Sequence, residues 1–194
     1  EFERNAVKDW VSSRDENSYA LRLDQKIKER ISNAQPNLVR KDGVTEEFLL
    51  VHSFAHAIIR QLAFECGYDA SSLKERIFVG KNEHTEMCAV LIYTASGDSE
   101  GSLGGLVQRA QPGLLENTIK EAVVSSLYCS NDPICSSTGS AKTNSDNIVS
   151  CHACNMLPET SCEHSNYLLD RSSLVGSLEN TEQGYFNELI KSMI

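Results

Sequence analysis

Residues 45–66 read TEEFLLVHSFAHAIIRQLAFEC, and this stretch decides the fold. Phe48, Val51, Ala55, Ile58, Ile59 and Leu62 recur at helical spacing, which predicts an α-helix. Thr45 stands where an N-cap belongs, and Glu46 and Glu47 occupy the first turn, where the helix dipole favours negative charge. Gly67 follows the last periodic residue, as a C-cap glycine would. The helix is expected to be largely buried.

Two strands are expected after it. Residues 76–79 (RIFV) and 87–95 (MCAVLIYTA) are rich in β-branched and aromatic residues, joined by a polar connection at 80–86 of hairpin-like length. A turn-rich loop at 96–102 leads to a helix at about 103–110. Pro112 can open another at about 113–127, carrying Leu114, Leu115, Ile119, Val123 and Leu127. Residues 129–165 then lose hydrophobic periodicity; cysteine, serine, asparagine and proline dominate, so something other than a core must hold them. Short helices are expected at 166–175 and 182–193. Upstream, residues 1–44 are polar and read as an arm or linker, with a short amphipathic helix at 24–31. The expected class is α+β: a buried helix, a short sheet or hairpin, further helices and a cysteine-rich, zinc-stapled C-terminal segment. The domain is placed at 45–194 and its metal segment at 129–165.

Composition narrows the function classes. No apolar run approaches the roughly 20 residues of a membrane span, and residues 1–10 lack the apolar core of a signal peptide. The net charge is −9; in residues 1–60 ten acidic side chains balance ten basic ones, so residues 61–194 carry all of it. The basic patch of a nucleic-acid binder is absent. Seven cysteines are an odd number, and their spacing is not that of a small disulfide scaffold. A cytoplasmic, metal-binding chain is expected.

Five of the seven cysteines, Cys129, Cys135, Cys151, Cys154 and Cys162, lie within 34 residues as C-x5-C-x15-C-x2-C-x7-C. Cys151 and Cys154 form a knuckle, two thiolates presented from one turn; Cys129 and Cys135 are spaced wider around Asp132-Pro133. Four thiolates suit zinc in a closed structural site, and the gap of 15 is typical for joining two such pairs. An iron–sulfur cluster uses the same donors and ranks behind zinc. Ordinary thiols and disulfides explain the clustering less well. Cys162, His152 and His164 are rival ligands, whereas Cys66 and Cys88 read as core residues.

His52 and His56 share a helical face at i, i+4, a spacing able to bind metal, but Ser53 stands where a zincin carries its glutamate. Two histidines hydrogen-bonded in the core are the preferred reading over a metal or catalytic pair. The glycine loop EGSLGGL, residues 100–106, lacks the signature of a P-loop and reads as close packing. Asp170-Arg171 reads as local salt bridges or a cap, and no triad can be assigned from spacing.

The succession LLVHSFAHAIIRQLAFECGYDASSLKERIF (49–78), LIYTASGDSEGSLGGLV (91–107), CSNDPIC (129–135) and CHACNMLPETSCEHSNYLLDRSSLVG (151–176) resembles one family. It is similar to the C-terminal metal-binding domain of unknown function in DrmB-like proteins of the DISARM anti-phage system, and to the related domain behind the motor of Mrf-type DNA-repair helicases. The resemblance covers about residues 46–176. It implies one metal, zinc by preference, on Cys129, Cys135, Cys151 and Cys154, with Cys162 belonging to the T-S-C-E-H variant of the DrmB-like side. It also implies a helicase subunit as partner, DNA engaged indirectly through that complex, and no established catalysis of the domain's own. The chain has no helicase motifs and reads as a domain, a split subunit or a fragment.

The expected function is therefore a non-catalytic, zinc-stapled accessory or interaction domain of a helicase-associated DNA-processing or anti-phage complex. One alternative is an enzyme acting on a phosphodiester or nucleotide, with His52, His56, the glycine loop, His164 and Asp170 converging in one pocket. A second is a DNA-contacting domain, which needs Arg40, Lys41, Arg60, Arg109 and Arg171 on one face.

Overall fold

A 21-residue helix runs through the middle of the molecule, and most of the other elements pack against it. A computed structural model describes residues 1–14, 24–25, 43–82, 85–94, 104–137, 147–177 and 180–193. Beyond residues 24–25, the helix expected at 24–31 lies outside the described residues. So do Arg40, Lys41, residues 100–103 of the glycine loop and residues 138–146 of the cysteine-rich segment.

In chain order the elements are α1 (Arg4–Ser13), α2 (Glu46–Cys66), β1 (Leu73–Asn82), β2 (Thr85–Thr94), α3 (Gly104–Arg109), α4 (Leu114–Ser125), α5 (Ile134–Ser137), α6 (Ser172–Val175) and α7 (Asn187–Lys191). The expected α+β class is observed, with a cysteine cluster able to coordinate metal towards the C-terminus. α2 begins and ends as its sequence dictates. Thr45 Oγ1 accepts from the Phe48 N–H at 3.2 Å, and Gly67 takes the left-handed conformation (φ 70°) that terminates a helix without a Cβ clash. Phe48, Leu49, Leu50, Val51, Ala55 and Ile59 are wholly buried, on more than one side of the helix, because α1, the hairpin, α4 and α6 all pack against it.

β1 and β2 pair antiparallel over their whole lengths, from Leu73 opposite Thr94 to Asn82 opposite Thr85. The connection expected at 80–86 is therefore mostly strand. Main-chain ladder bonds carry the ribbon past the last apolar residue, and they need no hydrophobic side chains. Along β1, Leu73, Glu75, Ile77 and Val79 alternate onto one face. That face meets α2, so the Glu75 carboxylate is buried with it.

Within residues 1–44, α1 buries Val7 and Trp10 in the main core; Trp10 Nε1 donates to Gln183 O at 2.9 Å, and Arg14 pairs with Glu46 at 3.3 Å. A second, smaller apolar cluster gathers Val44, Phe48 and Leu49 with Cys129, Cys135, Ile148, Val149 and Leu168.

Where a helix was expected at 166–175, only Ser172–Val175 is α-helical. Ser165, Asn166 and Leu168 have φ of 51°, 61° and 64°, left-handed values that no α-helix contains. This stretch bonds outward instead. Leu169 O accepts from Ile148 N–H, and the Asn147 side chain donates to Asn166 O and accepts from Leu169 N–H. The Asn166 side chain in turn exchanges two hydrogen bonds with the Leu157 main chain. The helix expected over 182–193 is divided between a single 3-10 turn, Thr181–Gln183, and α7.

Candidate metal centres

Two turns of chain bring four sulfurs together. In the first, which runs from the end of α4 into α5, the Asp132 carboxylate accepts from the backbone N–H of Cys129 (3.0 Å) and of Ser136 (3.2 Å), shaping the turn that carries Cys129 and Cys135. In the second, the N–H groups of Cys154, Asn155 and Met156 all reach back to Cys151 O, which makes the knuckle. The Sγ atoms then lie 3.4 Å apart for Cys129 and Cys151, and 3.7 Å for both Cys135–Cys154 and Cys151–Cys154. None is in a disulfide. A tetrahedral ion bonded to four sulfurs at about 2.3 Å has edges of about 3.8 Å, so the donor set and its spacing fit one such ion.

The electrostatics agree with that fit. Burial and the neighbouring sulfurs push the Cys154 thiol up to about 11 and Cys135 higher still. Burial acts on Cys151 too, but hydrogen bonds from Cys129, the Ala153 N–H and Asn131 outweigh it and bring this thiol down to about 6. One thiolate forms readily and opposes the next; a bound cation is what allows all four to ionise together.

Arg171 fixes this centre from outside. Its guanidinium donates to both Asp132 oxygens (3.0 and 3.1 Å) and to Ser126 O (3.0 Å). Burial alone would raise the Asp132 carboxyl, but the Arg171 charge holds it below its ordinary range. Asp170 is a local cap, accepting from the Ser172 N–H and hydroxyl at 3.0 and 2.6 Å.

A second group of donors meets at α2, which supplies two of them. His52, His56, Glu75 and Cys162 are all buried, and one ligand atom from each lies within 4.8 Å of the others. His52 Nδ1 is 3.1 Å from Leu168 O and His56 Nδ1 is 2.7 Å from Asn155 O. A carbonyl can only accept, so each Nδ1 carries the proton and each Nε2 turns inward. There Glu75 Oε1 is 3.1 Å from His52 Nε2 and 3.4 Å from His56 Nε2, and Cys162 Sγ is 3.2 Å from His52 Nε2. Burial lowers the His52 pKa, favouring the neutral ring, against the pull of Glu75. Burial together with the Glu75 charge pushes the Cys162 thiol up to about 12.

Residues 54–155, just over half of the chain, match the family described as the MrfA Zn-binding domain. The chain belongs to that family. The matched stretch contains all four clustered cysteines. A protein of Bacillus paralicheniformis named DISARM protein DrmB is 38% identical over 196 residues, which is 98% of this chain and 33% of that protein. The chain thus spans about a third of the length of this relative.

For a member of this family, the expected site residues are distributed as follows. Cys129, Cys135, Cys151 and Cys154 come together. Cys162 stands apart from them and joins His52 and His56. His164 sets its ring edge-on to Phe48 and His52 (centroids 5.0 and 5.4 Å) but is outside both donor groups, and His152 is exposed. Cys88 is buried in the main core, and Cys66 is half-buried at its margin. Glu75 was missed. Its signal was a carboxylate in register with Leu73 and Ile77 on the inward face of a strand.

The pocket required by the enzyme alternative is not formed by the described residues. His52 and His56 are fully buried, and Asp170 is turned to Ser172. Glu75 and Cys162 both approach Nε2 of His52, so the carboxylate does not orient the ring for the thiol as a triad acid does. Of the cations the DNA-contact alternative needs, Arg171 is buried on Asp132, Arg109 pairs with Glu65 at 3.3 Å, and Arg60 donates to Ala153 O and Met156 O.

Proposed function

We propose that Cys129, Cys135, Cys151 and Cys154 hold one structural zinc ion, and that the chain is an accessory, assembly module of a helicase-associated DNA-processing complex of the phage-restricting kind. The meeting of four sulfurs from two separate turns at 3.4 to 3.7 Å carries the reading. An iron–sulfur cluster would hold the same sulfurs farther apart than a single ion does. The relative named DISARM protein DrmB supports the choice of complex. A partner supplies the grip on DNA, since the net charge is −9 and Arg60, Arg109 and Arg171 are engaged within the chain.

The surface suits a protein partner. Phe64 and Tyr128 are 85% and 81% exposed and line one shallow groove with Ala153 and Cys154 beside the knuckle. No described helix is long and apolar enough to cross a membrane. None of the seven cysteines is in a disulfide, which fits the reducing cytoplasm, where we place the protein.

The test is metal analysis joined to co-purification with a helicase-type subunit. Zinc is expected at the four cysteines, and Cys151→Ser should remove that ion together with the co-purifying subunit. Iron in place of zinc, or an unchanged metal content in Cys151→Ser, would overturn the assignment.

A further inference from the structure

We propose that His52, His56, Glu75 and Cys162 form a second metal site, buried and closed, that takes one divalent ion of the zinc class. It shares no donor with the four-cysteine centre and stands or falls separately from it. Two of its four donors, His52 and Cys162, lie outside the residues matched to the family.

The argument starts from protons. Both ring N–H groups are spent on backbone carbonyls, at Leu168 and at Asn155. Two bare Nε2 lone pairs, a carboxylate and a sulfur then face one another, and the thiol proton is the only one left to share among them. Among the described residues neither Glu75 oxygen, nor His56 Nε2, has a hydrogen bond of acceptable geometry, although they approach to 3.4 Å. A buried carboxylate without hydrogen bonds is expensive, whereas a cation at the common centre satisfies all four groups at once.

The outer contacts are those of ligands held for a metal. An Nδ1–H donated to a backbone carbonyl fixes the tautomer and orientation of a coordinating imidazole. Cys162 Sγ accepts the backbone N–H groups of His164 (3.3 Å) and Asn166 (3.2 Å), much as Cys129 Sγ accepts that of Asn131 (3.4 Å) at the first centre. Leu168 holds a left-handed φ of 64°, and its carbonyl is the one that orients His52.

Spacing and charge agree. Tetrahedral zinc bound to nitrogen and oxygen at about 2.0–2.1 Å and to sulfur at about 2.3 Å has edges of about 3.3–3.6 Å, against observed separations of 3.1, 3.2 and 3.4 Å. One carboxylate and one thiolate bring two negative charges, which a dication neutralises where no water can. Mixed nitrogen, sulfur and oxygen donors in this geometry select zinc over calcium or magnesium. Four protein donors leave no position for a reacting water, so the ion ties α2, β1 and the segment after the knuckle together.

Zinc content of the whole chain, by native mass spectrometry and elemental analysis, tests the site. The wild type should carry two zinc ions, Glu75→Gln and Cys162→Ser one each, and Cys151→Ser the other one. A wild type with a single zinc that Cys151→Ser removes and Cys162→Ser retains would overturn the second site. A single zinc lost in Cys162→Ser and kept in Cys151→Ser would instead overturn the four-cysteine reading; no metal at all overturns both. Cobalt(II) titration of the wild type avoids dependence on the folding of variants. Two equivalents are expected, the two steps differing in thiolate-to-cobalt absorption, and Cys162→His should retain both; saturation at one equivalent refutes the proposal.

Discussion

His56 Nδ1 donates to the backbone carbonyl of Asn155 at 2.7 Å, tying the central helix to the residue that follows the Cys151–Cys154 knuckle. Arg60, one turn on, donates to Ala153 O and Met156 O on either side of it. The knuckle is thus seated on α2 by its main chain, whatever its sulfurs bind. Both donor groups are packed on this helix: Phe48 and Leu49 share an apolar cluster with the four cysteines, and His52 and His56 belong to the second group.

Arg171 is the cation that holds the first cysteine loop, so its loss should be felt in stability and in metal affinity together. Arg171→Ala leaves Asp132 with its carboxylate half-paired and Ser126 O without its donor. The expected cost is about 3 kcal/mol, in the range for breaking a buried pair from one side. Urea unfolding of metal-loaded protein, with competition by a chromophoric chelator, measures both. Unchanged chelator competition would show that Asp132 shapes the loop unaided.

Gly176 ends α6 at φ 80° and ψ −178°, backbone essentially reserved for glycine, and a Cβ there would clash with the Thr181 main chain. Gly176→Ala should destabilise the protein by about 2 kcal/mol or more, with the 181–191 segment loosened first. Thermal unfolding with hydrogen exchange over that segment checks it; an alanine variant as stable as the parent would contradict the close approach.

Asp170 gives a pH dependence whose sign can be worked out. Burial raises its pKa in the folded chain above the ordinary 3.8, so the ionised form is the one the fold disfavours. Its contribution is neutral below 3.8 and becomes a penalty as pH rises from there through the raised folded value. Asp170→Asn should remove this component while keeping an oxygen for Ser172. The difference in unfolding free energy between wild type and variant should therefore shift in the variant's favour as pH rises, and a difference independent of pH would refute the argument.

Phe64 and Tyr128 serve the proposed assembly and not the core, since both side chains stand in solvent. Phe64→Ser with Tyr128→Ser should weaken co-purification of a helicase-type subunit. Exposed substitutions of this kind usually change stability by no more than about 0.5 kcal/mol. Loss of folding in the double variant, or undiminished co-purification, would remove the groove from the interface.

Residues near in sequence announced themselves. The apolar spacing from Phe48 to Leu62, capped by Thr45 and Gly67, specified α2 almost to the residue, because a helix is written in local periodicity and in its two ends. C-x5-C and C-x2-C specified two ligand pairs for the same reason: each pair is carried by one turn. Other features were decided only by the packed molecule. Asn166 and Leu168 leave the helical region, because the partners of this stretch, Ile148, Asn147 and His52, come from elsewhere in the chain. Glu75 and Cys162 are separated by most of the domain, and no local pattern joins a strand carboxylate to a loop thiol. Only the seating of β1 and the 157–169 segment on the same face of α2 puts them beside His52 and His56, where burial withdraws the water that would otherwise satisfy all four.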